Sequence, residues 1–237
     1  MSAGAAGAAR EQLRQLFERY AGGPLPDWHA VAPMIRPFPV RQGQVVVDEN
    51  ADRAVIFLVT SGVYHVRVVA RDGSMTTVNF AGRGEFLANL PSIEDPRQPL
   101  MPSDISGLEM HRGYTEAANQ RYYIKALTPG ALVEVPIGEM QRRATYTLAW
   151  ARALSTAYLV YAQAMRYERD RMRLPAEARY RSFLIDYAPV LRYVQQKDIA
   201  DFLGISEVGL SRIATRVRRE AAQTAPSEHP HKEHPHK

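Results

Sequence analysis

QKDIADFLGISEVGLSRIATRVRR, residues 196–219, reads as two short helices joined by a tight turn. Ile199, Ala200 and Leu203 fall on the inner side of the first helix. Gly204 ends it, because glycine enters the left-handed region without a Cβ clash. Ser206 follows as an N-cap for the second helix. There Leu210, Ile213 and Val217 recur at three- and four-residue steps and make one buried stripe. Ala200 is small, which lets the two helices cross closely. The outer side offers Glu207, Ser211, Arg212, Thr215, Arg216 and Arg219. This is the layout of a helix-turn-helix with a basic recognition helix. A structural hairpin with a solvated basic face shares the glycine turn. The ordered set of Ala200, Gly204, Leu210 and a basic second helix argues for the motif.

The charge sits where the motif sits. The chain of 237 residues carries a net charge of +5. Between Arg171 and Glu220, ten Lys or Arg stand against six Asp or Glu, a local net of +4. That favours a polyanionic partner for this end of the chain. There is no cysteine, which excludes disulfides, thiolate zinc sites and cysteine-held iron–sulfur clusters. The start, MSAGAAGAAREQLRQ, lacks the basic-then-apolar pattern of a secretory signal, and no stretch reaches the length of a membrane span. A soluble, cytoplasmic protein is expected. No nucleophile–base set, phosphate-binding loop or zinc-protease motif is present, so no enzymatic function is expected.

Upstream, Leu13, Leu16, Phe17 and Tyr20 mark an amphipathic helix closed by Gly22-Gly23-Pro24. A short helical turn follows around Asp27 to Met34. Short β-branched runs then appear at 45–47, 55–59, 63–69 and 76–80, separated by turn residues such as Gln42-Gly43, Ser61-Gly62 and Arg71-Asp72-Gly73. Two more strands are expected at 121–126 and 131–135. Pro91 to Gln120 has no clear period and reads as an insertion. One long helix is expected over 139–173, with Leu148, Ala151, Ser155, Tyr158, Ala162 and Met165 on alternating three- and four-residue steps. Such a seam suits a homodimer contact, although packing on the chain's own strands would use it too. Pro175 breaks that helix, and a further amphipathic helix covers 176–187.

This order of elements resembles the family of the cyclic-AMP receptor protein and the fumarate–nitrate reduction regulator. The resemblance rests on Val40 to Phe86 with its turns Gln42-Gly43, Ser61-Gly62 and Gly84-Glu85-Phe86. It rests also on the helix break Pro175 to Arg179, and most specifically on Asp198 to Ile213. It implies an α+β fold: a β-roll sensor domain over 1–138, a dimerisation helix over 139–173, a winged helix-turn-helix over 174–222, and a tail over 223–237. It implies a homodimeric transcription regulator bound to an inverted-repeat operator in double-stranded DNA, with RNA polymerase as a further partner. Gln196, Ser206, Glu207, Val208, Ser211, Arg212, Thr215 and Arg216 would form the DNA surface. Val208 stands where the family pattern has a Glu, so the operator should differ from the family's usual half-sites.

The family's nucleotide cassette is degraded here. Asn89 stands where a ribose-binding Glu is expected, the short loop has become the insertion 91–120, and Arg121 lacks a following hydroxyl. The expected effector surface is Phe86, Leu87, Asn89, Arg121 and Tyr123, taking a non-nucleotide effector or none. The alternative is a cyclic-nucleotide-responsive signalling module. No cofactor is assigned; haem would need an axial ligand such as His65 or His111. The duplicated EHPHK at 228–237 reads as a disordered tail with adventitious metal affinity.

Overall fold

The structure, a computed structural model, describes residues 3–48, 55–70, 72–89 and 121–224. Helix α1 (Ala3–Ala21) leads, followed by one short turn α2 (Trp28–Val31) and a 3₁₀ turn at Ala32–Met34. Eight strands come next: β1 (Arg36–Val40), β2 (Val45–Val47), β3 (Val55–Ser61), β4 (Tyr64–Val69), β5 (Met75–Ala81), β6 (Phe86–Asn89), β7 (Arg121–Ala126) and β8 (Gly130–Val135). The remainder is helical: α3 (Ile137–Ala144), α4 (Leu148–Arg171), α5 (Ala176–Asp186), a 3₁₀ turn at Leu191–Tyr193, α6 (Gln196–Phe202) and α7 (Glu207–Thr224).

The strands form two antiparallel four-stranded sheets, ordered β1-β8-β3-β6 and β2-β7-β4-β5. Alternation along each strand decides which side chains meet inside. Val59, Leu87 and Leu132 from the first sheet pack against Tyr64, Val66 and Ile124 from the second. The turn at Gly62 presses on the turn at Gly130, and a Cβ on Gly62 would stand 2.9 Å from the Gly130 Cα. Strand β1 was not evident in the sequence, because Pro37 and Pro39 lie within it. Among the described residues it pairs only with β8 and so lies at a sheet edge, the place where a strand tolerates missing amide donors.

A second core lies under α1. Its Ala9, Leu13, Phe17 and Ala21 are buried against Trp150, Ala153 and Leu154 of α4. Trp150 donates its indole N–H to the Pro26 carbonyl at 2.9 Å and stacks on Trp28. The single helix expected over 139–173 is two helices. The chain leaves the helical path at Thr147 (φ −132°, ψ 115°). Thr145 turns its hydroxyl onto the Arg142 carbonyl at 2.7 Å, and a β-branched pair flanking Tyr146 is a poor helix interior. Among the described residues the helical head has no strand. Between α5 and α6 it holds the 3₁₀ turn Leu191–Tyr193.

The two halves of α4 differ. Its first turns bury Trp150, Ala153 and Leu154, whereas Tyr158, Leu159, Val160, Tyr161 and Met165 are all more than 40% exposed. Of the residues expected at a dimer seam, Leu148, Ser155, Tyr158, Ala162 and Met165 are exposed and Ala151 is half-buried. Among the described residues none of the six is fully buried, and Tyr158 accepts a hydrogen bond from Gln141 at 3.0 Å.

Candidate nucleic-acid interface

The turn between α6 and α7 is closed by backbone geometry that the residues dictate. Gly204 sits at φ +62°, its N–H donating to the Asp201 carbonyl, and the Ile205 N–H reaches back to Ala200, both at 3.0 Å. This pair of bonds is a Schellman stop, and it needs a residue free to be left-handed. Two residues on, the Ser206 hydroxyl accepts the Gly209 N–H at 3.1 Å and caps α7. Ile199, Ala200 and Phe202 of α6, with Leu203 just past its end, meet Leu210, Ala214 and Val217 of α7 over Tyr180 and Phe183 of α5. Burying that seam leaves one face of α7 in solvent.

On that face Glu207, Val208, Ser211, Arg212, Thr215 and Arg216 are all exposed, as is Gln196 at the start of α6. Thr215 is tied locally, donating to the Ser211 carbonyl at 2.9 Å. Arg216 is paired with Glu177 of α5, and Arg181 bridges Glu177 and Glu220. Arg216 therefore points toward α5. Among the described residues Arg212, Arg218 and Arg219 meet no carboxylate and leave a basic surface open. Arg218, between the buried Val217 and the outer-face Arg219, is exposed as well.

The opposite side of the head is fastened to the outer face of the second sheet. Asp198 of α6 pairs with Arg67 of β4 at 3.0 Å, and Asp201 accepts the Thr77 backbone N–H at 2.6 Å. Tyr187 donates its hydroxyl to Asn79 at 2.8 Å. Beneath these contacts Phe80 is fully buried among the rings of Phe183, Tyr187 and Phe202. His65 stacks on Phe80 and points Nε2 at Thr77 Oγ1 (2.9 Å) and Arg67 Nε (3.3 Å). The arginine can only donate, so Nε2 must present its lone pair and the ring is neutral. Burial, aided by Arg67, pushes the imidazole down to about 4.

The end of α4 is riveted into the same junction. Arg171 is buried, with its guanidinium over Tyr187 and Phe202 at 5.6 and 4.7 Å, and it pairs with Glu168. Arg179 donates to the Met172 and Leu174 carbonyls at 3.2 and 2.8 Å, covering the last carbonyls of the helix at the proline break. The end of α4 and the head therefore share packed side chains.

The residues expected around an effector are dispersed. Leu87 and Asn89 are buried, while Phe86, their neighbour on β6, faces α1 beside Leu13, Leu16 and Tyr20. Tyr123 is paired with Arg67, and its alternation partners Arg121 and Lys125 share its outward face. The inward residues of β7 are Tyr122, Ile124 and Ala126, and Tyr122 packs against the interior cluster. Burial and the nearby Tyr161 of α4 push its hydroxyl up to about 12. His65 is committed to Thr77 and Arg67; His111, the insertion 91–120 and the EHPHK repeats lie outside the described residues. Among the described residues no group of three His, Asp or Glu could hold a metal. None of the described helices is long and apolar enough to cross a membrane.

No protein-family model matches the chain, and no curated protein matches it in sequence. Solved structures do match its fold. FixK2 from Bradyrhizobium japonicum aligns with a TM-score of 0.55 and 17% identity over 79% of this chain and 86% of that one. A protein from Eubacterium rectale assigned to the Crp/Fnr family of transcriptional regulators gives 0.55 and 14% over 86% and 89%. A CooA mutant from Carboxydothermus hydrogenoformans gives 0.52 and 13% over 83% and 82%. The chain has the fold of Crp/Fnr-type regulators: a two-sheet roll, a connecting helix and a helical head.

Proposed function

We propose that this protein is a homodimeric, sequence-specific DNA-binding transcription regulator that reads an inverted repeat with α7. The observation that carries the reading is the free basic face of α7, presented on a capped helix-turn-helix. Arg212 suits guanine O6 and N7, Glu207 suits the cytosine amino group, and both lie in the first half of the helix, which reaches base edges. Ser211 supports them, and Gln196, Ser206, Val208 and Thr215 border them. Arg216 belongs to this set only when it leaves Glu177 for a phosphate. In this reading RNA polymerase is a further partner, and the work is regulatory, in the cytoplasm.

The exposed apolar half of α4 supplies the two-fold contact. A surface this apolar is seldom left to water. Any effector would bind beside the roll without the cyclic-nucleotide cassette, since Asn89 is buried and Arg121 faces outward. The tests are direct. DNA affinity should fall steeply with salt, because each neutralised phosphate releases counterions. The double variant Tyr158→Asp, Ala162→Asp should sediment as a monomer, because it would bury facing charges. A flat salt response or a persisting dimer would remove the corresponding half of the proposal.

A further inference from the structure

A cleft of about 840 Å³ opens where the turns at one end of the roll meet the linker into the head. It exists because the head is docked. Gly82 allows this: a Cβ there would come within 3.2 Å of Val190 Cγ1. The floor is apolar, built from Val63 and Leu127 of the roll and Val190 of the head. Above it stand two cations, Arg83 from the β5–β6 turn and Arg192 from the 3₁₀ turn. Among the described residues no Asp or Glu lines the cleft. Glu85, beside this wall, has its carboxylate committed to the Gly82 N–H at 2.5 Å. Arg192 already lies over the Tyr193 ring at 4.7 Å.

We propose that this cleft binds a small organic anion bearing a flat apolar or aromatic group, and that its occupant fastens the head to the roll. The volume falls in the range of small-molecule sites, which favour domain interfaces and combine an apolar lining with few polar groups. Two guanidinium forks recognise a carboxylate or phosphate with paired hydrogen bonds. The apolar floor and the Tyr193 ring take the remainder. The walls come from both bodies, so the ligand binds the docked arrangement and not the separated one. It stabilises docking by that difference in affinity. The inference goes beyond the DNA-binding reading and stands without it.

The test uses the full chain and three probes: phenyl phosphate, inorganic phosphate and benzyl alcohol. Titration calorimetry should show one saturable phenyl phosphate site per chain. Inorganic phosphate should bind at least ~10-fold more weakly, and benzyl alcohol should show no saturation. The double variant Arg83→Gln, Arg192→Gln should lose phenyl phosphate by at least ~10-fold with an unchanged thermal midpoint, while Arg121→Gln should bind normally. Phenyl phosphate should also slow hydrogen exchange at the Thr77 amide, which the docked head covers. Absence of saturable phenyl phosphate binding, or binding that survives the double variant, would overturn the site. Inorganic phosphate binding as tightly as phenyl phosphate would overturn its aromatic half.

Discussion

The two helices of the helix-turn-helix meet opposite fates. Helix α6 spends its acidic side chains, Asp198 and Asp201, on the roll, through Arg67 and the Thr77 amide. Helix α7 keeps Arg212, Arg218 and Arg219 in solvent. One helix fixes where the head sits, and the other, in the proposed function, is left to read DNA. Under that proposal position and recognition rest on different residues, and substitutions should separate them.

The largest expected effect lies under α6. Phe80 is fully buried and joins the roll to three rings of the head. Phe80→Ala should cost ~3–5 kcal/mol in denaturant unfolding, the range for a large aromatic removed from a core. Because Phe80 belongs to the roll and its partners to the head, the transition should also split into two. A single transition at the wild-type midpoint would show that the docked arrangement contributes little.

Acid should loosen the same junction. His65 is held down to about 4 in the folded protein. The unfolded chain takes up this proton near pH 6.5, and the folded chain refuses it until about pH 4. The stability His65 contributes is thus present above pH 6.5 and is lost as pH falls through that window, by roughly 3 kcal/mol. The groups around it are Arg67, Lys125, Asp198 and Asp201. In His65→Gln that portion of the pH dependence should vanish; an unchanged acid slope would count against a neutral buried ring.

Asp198→Ala sharpens the contrast. The pair with Arg67 is partly buried, so its loss should cost ~1–3 kcal/mol of stability. Measured by fluorescence anisotropy on a selected duplex, its affinity should be no weaker than wild type. A large loss of DNA affinity in this variant would mean that α6 reads as well as positions.

Features governed by neighbours in sequence were legible before the structure. Gly204 and Ser206 mark a stop and a cap whose geometry needs only local residues. The β-branched runs at 45–47, 55–59, 63–69 and 76–80 and the strand pair expected at 121–126 and 131–135 all became strands, because period and turn chemistry agree there. Strand β1 escaped because its prolines argue against a strand unless its edge position is known. The break at Thr145–Thr147 was hidden by an apolar period that runs through it. The docking surface had no local signature at all. Arg67 and Asp198 are 131 residues apart, and nothing near either of them announces the other. Likewise nothing near Arg216 in the sequence announces its ion pair with Glu177 of α5. The effector residues scattered for a simple reason: β6 and β7 belong to different sheets, and alternation sends neighbours such as Phe86 and Leu87 to opposite faces.

The most direct measurement is selection of binding sites from random duplex DNA by the wild-type protein and by Arg212→Ala. The wild type should enrich an inverted repeat whose half-site centres lie ~10 bp, or about 34 Å, apart, as two recognition helices on a two-fold axis require. Arg212→Ala should bind the wild-type site ~1–3 kcal/mol more weakly and relax one position in each half-site. Enrichment of no sequence by the wild type, or the same repeat selected with the same affinity by the variant, would contradict the account.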